Sequence, residues 1–108
     1  MSVIINGTSG VQLPLGSAAS PAETNTTAQA TGIYYPSSTI LGFSTNGSEA
    51  MRIDASQNVG IGTTSPNAKL HVAGGNILLD NTYALQAYDA QGNIRSIFAY
   101  TSANNFQF

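Results

Sequence analysis

The sequence has no cysteine, no tryptophan and a single histidine, and only 7 % of its 108 residues are charged. Without cysteine there are no disulfides and no thiolate metal sites. The three cations, Arg52, Lys69 and Arg95, are scattered along a chain of net charge −2. Phosphate backbones are bound by clustered Lys and Arg, so no nucleic-acid partner is expected. No apolar run approaches the roughly 20 residues of a membrane span, and membrane insertion is not expected. The start, MSVIINGTSG, has neither a basic n-region nor a long apolar h-region, so the expectation is synthesis in a cytoplasm without a signal peptide. A sustained 3.6-residue period is also missing, which argues against amphipathic helices.

Typical soluble domains are roughly 25 % charged. Surface charge is what keeps a monomer soluble and apart from its copies. A chain this poor in charge is expected to cover much of its surface with copies of itself, or to clothe it in hydroxyls and amides. Apolar residues reach 42 %, but many are Ala, which adds little burial. A chain of this length buries a modest fraction of its surface alone, and association with copies remedies that.

What is present is a run of short β-patterned segments between turn residues. Ser2 to Ile5 and Val11 to Leu13 read as strands about the turn Asn6-Gly7-Thr8-Ser9-Gly10. Gly16 to Thr31 is low-complexity and reads as an extended surface linker, with a short helix over Pro21 to Gln29 as the alternative. From Ile33 onward strands are expected at Ile33 to Tyr35, Thr39 to Ser44, Glu49 to Asp54, Val59 to Gly62, Lys69 to Ala73, Asn76 to Leu79, Tyr83 to Tyr88 and Ile94 to Tyr100. Alternation puts Met51, Ile53, Val59, Ile61, Leu70 and Val72 on a buried face, with Arg52, Asp54, Gly60 and His71 opposite. Leu41 to Asn46 echoes Ile97 to Ser102, which suggests a repeat beginning near Ile94 and running past Phe108. Phe106 and Phe108 resemble a strand cut mid-course.

Sharper chemistry finds little support. His71, Ser56, Ser65 and Asp54 make a weak triad, since geometry and not composition defines one. Asp54-Ala55-Ser56-Gln57-Asn58 lacks the distal bidentate carboxylate of a calcium loop and reads as a plain turn. The expectation is no catalytic residue, no cofactor and no metal site. Tyr34, Tyr35, Tyr83, Tyr88 and Tyr100 could stack on sugars, but tyrosine is also a good strand residue.

The stretch Glu49 to Gly74, EAMRIDASQNVGIGTTSPNAKLHVAG, resembles a segment recurrent in bacteriophage tail-fibre and virion-appendage proteins. Met51-Arg52-Ile53-Asp54, Asn58 to Thr64, Pro66 and Lys69-Leu70-His71-Val72 match its pattern, and Leu41 to Gly47 fits the strand and turn that lead into it. The resemblance covers about half the chain. Two positions depart from it: Gln57 replaces a usual Gly, so that Asn58 is expected to supply the positive-φ residue, and Ala50 replaces a common Arg.

The resemblance implies an all-β fold of short β-hairpins in an elongated, intertwined homotrimeric fibre. In many resembling proteins a self-cleaving chaperone domain follows, and these residues contain none. Residues 1–32 are expected to attach to the virion through Val3, Ile5, Val11 and Leu13, and residues 33–108 to form a shaft continuing beyond Phe108. The implied partners are two further copies of the chain, another virion protein such as a tail adaptor or nozzle, and a host receptor reached through a distal part. The implied location is the virion tail. The alternatives are a carbohydrate-binding adhesin module or a head or capsid fibre.

Overall fold

The computed structural model describes residues 4–8, 10–100, 106 and 107. The fold is all-β, with no helix among the described residues. The chain divides into two units, Met1–Asn76 and Ile77–Phe108.

Unit 1 opens with β1 (Ile4–Asn6) and β2 (Gly10–Gln12), an antiparallel pair whose register sets Ile5 beside Val11 along the backbone. A six-stranded sheet follows, in the order β3 (Glu23–Thr24), β4 (Gly32–Ser37), β5 (Ile40–Thr45), β6 (Ser48–Ile53), β7 (Val59–Ile61) and β8 (Leu70–Val72). Its strands run antiparallel up to β7, and β8 lies parallel to β7. The β5–β6 turn is Asn46-Gly47, with φ of 51° and 81°. Positive φ at both central residues gives the twist that joins antiparallel strands tightly, which is why Asn-Gly is found here.

The low-complexity stretch is neither a bare linker nor a helix. The Asn25 side-chain oxygen takes the backbone N–H groups of Thr27 and Ala28, and the Thr24 hydroxyl donates to the Thr31 carbonyl. These side-chain bonds fold the segment back so that β3 pairs with β4. A Cβ on Gly32 would run into the Glu23 carbonyl, so glycine is required for this approach. Upstream, the Tyr35 N–H donates to the Leu15 carbonyl at 2.7 Å.

The expected strand over Asn76 to Leu79 does not form. Gly74, at φ 77°, turns the chain off the end of β8, and Ile77 and Leu78 are exposed. Unit 2 is a three-stranded sheet in the order β11 (Phe106–Gln107), β10 (Ile94–Tyr100) and β9 (Ala84–Tyr88), with a bulge between Ser96 and Phe98. Phe108 lies outside the described residues.

Candidate functional site

Strand register assigns each side chain of the six-stranded sheet to a face, because directly paired residues point the same way. One row is Ile33, Phe43, Met51, Ile61 and Val72, each paired with the next. A second row on the same face is Leu41, Ile53, Val59 and Leu70. Both rows are therefore apolar, the first of them across five strands. They hold all six residues expected to be buried: Met51, Ile53, Val59, Ile61, Leu70 and Val72. Yet none is buried within the single chain. Ile61 keeps 41 % of its surface and Leu70 57 %, and the other four are half-buried.

The opposite face carries the row Tyr34, Gly42, Arg52, Gly60 and His71. It is polar, and the chain closes it. Tyr34 is 6 % exposed and Ser44 3 %. Arg52 donates from Nε and Nη2 to the Glu49 carboxylate, with the Nη2–Oε1 contact at 2.8 Å. The Tyr34 hydroxyl donates to the same Oε1 at 2.7 Å. Arg52 Nη1 also donates to the Thr64 carbonyl, which pins the β7–β8 connection across this face. The connection passes so close that a Cβ on Gly60 would meet the Thr63 carbonyl at 2.8 Å. Glu49 holds the Arg52 pKa above its ordinary value against the cost of burial. Burial, and then the bond to Glu49, raises that of Tyr34.

Lying opposite the apolar residues, Arg52 and Gly60 would suit solvent, or a neighbouring chain's backbone in the case of Gly60, but here the chain's own Thr63 and Thr64 approach them. Arg52 retains 12 % side-chain exposure and Glu49 10 %. The physical reason is a bulge. Phe43 pairs with Met51, but Ser44 pairs with Glu49, leaving Ala50 as an extra residue. Simple alternation separates Glu49 from Arg52. The bulge returns both to one face, beside Tyr34.

The turn after β6 rests on Asp54, whose Oδ1 accepts from the backbone N–H of Ser56 at 2.9 Å and of Asn58 at 2.8 Å. The Asn58 N–H bond above all holds the Asp54 pKa below the ordinary value. The residue with positive φ is Gln57 itself, at 65°, and not Asn58. His71 lies next to Gly60, half-buried, and its Nδ1 is buried without a hydrogen-bond partner. No group of three or more His, Cys, Asp or Glu is placed to hold a metal among the described residues.

At one end of the sheet, Tyr35, Ser38, Thr39, Leu41, Ile53 and Gln57 line an open depression of about 440 Å³. Of the other tyrosines, Tyr83 and Tyr88 are exposed in unit 2. No known protein family, curated protein or solved structure matches this chain. Of the residues expected to attach to the virion, Val11 is exposed and Leu13 half-buried, Ile5 lies in β1, and Val3 falls outside the described residues.

The site that emerges is a surface: two apolar rows on one face of the sheet, backed by the Tyr34–Glu49–Arg52 network on the other.

Proposed function

We propose that this chain is a shaft segment of a bacteriophage tail fibre, a virion structural protein that assembles as a homotrimer through the apolar face of its six-stranded sheet. The observation that carries the reading is the asymmetry of that sheet. Its polar face is crossed by the chain's own β7–β8 connection, and none of its nine apolar side chains is buried among the described residues. Apolar burial is worth roughly 25 cal/mol per Å², and a face of this kind left in water invites aggregation. Copies of the chain, packed face to face about an axis, would cover it. Three is the number implied by the resemblance of Glu49 to Gly74 to fibre proteins. In this role the N-terminal residues anchor the fibre to another virion protein, and a distal part carries receptor binding.

The test is a pair of substitutions two residues apart. Ile53→Asp should abolish assembly, since it puts an unpaired carboxylate into the face at a cost of several kcal/mol per chain. Ala55→Asp, in the exposed turn, should leave assembly intact. Equal tolerance of both would count against the apolar face as the contact surface.

A second reading, a carbohydrate-binding adhesin module, draws on the depression beside Tyr35, where an aromatic ring adjoins the hydroxyls of Ser38 and Thr39. Glycan binding by the purified chain that is lost in Tyr35→Ala would favour it.

A further inference from the structure

Residues 73–83, between β8 and β9, join no strand, and this is the longest such run among the described residues. The Ala73 N–H donates to the Ile61 carbonyl at its start, and the Tyr83 N–H donates to the Asp80 carbonyl near its end. Between them, Gly74 to Leu79 take part in no hydrogen bond among the described residues. Every residue from Gly74 to Tyr83 is exposed. In the middle stand three large aliphatic side chains, with Ile77 69 % exposed, Leu78 87 % and Leu79 44 %.

Other segments outside the sheets are tied down. The β7–β8 connection is held by the Gly62 N–H on the Ala50 carbonyl and by Arg52 on the Thr64 carbonyl. From Gly62 to Lys69 it also contains no Leu, Ile, Val, Met or Phe. Between β2 and β3, the Leu15 carbonyl accepts from Tyr35, Gly16 bridges to Pro21, and Ser17 and Ser20 bond to each other's backbone. Between β3 and β4, Thr24 and Asn25 bind the backbone of the turn.

We propose that the peptide bonds before Ile77, Leu78 and Leu79 are the proteolytic cleavage site of the folded chain, taken by an endoprotease whose pocket accepts a leucine-sized aliphatic side chain. A protease binds its substrate as an extended, unpaired strand, so backbone held in a sheet must unfold locally before it is cut. From Gly74 to Leu79 the backbone is unpaired in the native fold. The aliphatic side chains project for the pocket, and no charged residue lies between His71 and Asp80 to oppose an apolar subsite. Cleavage adds water across one amide bond, leaving a carboxylate on one fragment and an amine on the other. The cut falls at the boundary between Met1–Asn76 and Ile77–Phe108. Strands β1 to β8 precede it and β9 to β11 follow it, so no strand is severed from the partners of its own sheet.

The proposal stands apart from the homotrimer reading, because it is read from residues outside the six-stranded sheet. In the test, the full chain is treated with thermolysin, which cuts before large aliphatic residues, and the fragments are weighed by mass spectrometry under denaturing conditions. The bonds before Ile77, Leu78 or Leu79 should be cut ahead of those before Leu41, Ile53 and Ile61, which lie within paired strands. A variant combining Ile77→Asp, Leu78→Asp and Leu79→Asp should be cut there at least about tenfold more slowly, since filling an apolar pocket is worth that much or more. Proteinase K, of broad specificity, should still cut parent and variant between Gly74 and Tyr83. Resistance of this segment to both proteases, or earlier thermolysin cuts within β4 to β7, would overturn the proposal. An unchanged thermolysin rate at residues 77–79 in the variant would overturn the assignment of the aliphatic side chains to the pocket.

Discussion

Arg52 is held by three interactions at once: two nitrogens on the Glu49 carboxylate and a third on the Thr64 carbonyl. Bidentate guanidinium–carboxylate contact is strong when water is excluded, and here both side chains are about nine-tenths buried. Removing one partner of such a pair leaves the other charge stranded. Arg52→Ser should therefore destabilise the fold by about 2–4 kcal/mol, read from the midpoint of denaturant unfolding. Glu49→Gln, which keeps an acceptor for Tyr34, should cost less. The two aspartates that found the turns set a second expectation, about acid. Backbone N–H donation, from Asn58 to Asp54 and from Asn93 to Asp89, holds both carboxyls below their ordinary pKa. Their stabilising effect is present above the unfolded value of about 3.9 and is lost as pH falls through the lower folded values. Unfolding midpoints should thus begin to drop as pH falls below about 5 and keep dropping below about 3.9, and Asp54→Ala should show a smaller drop than the parent chain.

At the scale of elements, the turn between β6 and β7 shows what could be read from the sequence and what could not. Alternation alone put Met51, Ile53, Val59 and Ile61 on one face, because strand period is a property of the residues themselves. The place of Arg52 was not legible. It depends on a bulge at Ala50 that no local signal marks, and on a polar partner, Tyr34, two strands away. Glu49, Arg52 and Tyr34 could have been found only by knowing the register. The low-complexity stretch misled for a related reason. Its cohesion comes from Asn25 and Thr24 bonding to backbone, which composition does not reveal. Gln57 was identified as the departure from the glycine that the fibre motif prefers, but the strain falls on Gln57 and not on Asn58. Since a side chain at positive φ costs roughly 1–2 kcal/mol and glycine's extra chain entropy takes back roughly 0.5–1 kcal/mol, Gln57→Gly should stabilise by about 0.5–1 kcal/mol. The reverse change in the β9–β10 turn, Gly92→Gln at φ 82°, should destabilise by a similar amount. Differential thermal unfolding of the two variants checks both signs.

At the scale of the molecule, the sheet of unit 1 is one-sided. The side that the chain covers is the polar one, with Tyr34, Ser44, Arg52 and Gly60 beneath the β7–β8 connection. On the apolar side, from Ile33 to Val72 and from Leu41 to Leu70, no side chain is buried among the described residues. The 7 % charge content fits the packing of copies proposed for this side, because like charges there would repel one another. The most direct test of the central claim is the mass of the purified chain in solution, by sedimentation equilibrium at micromolar concentration. A particle of three times the 11.2 kDa chain mass is expected, and a stable particle of 11.2 kDa would contradict it.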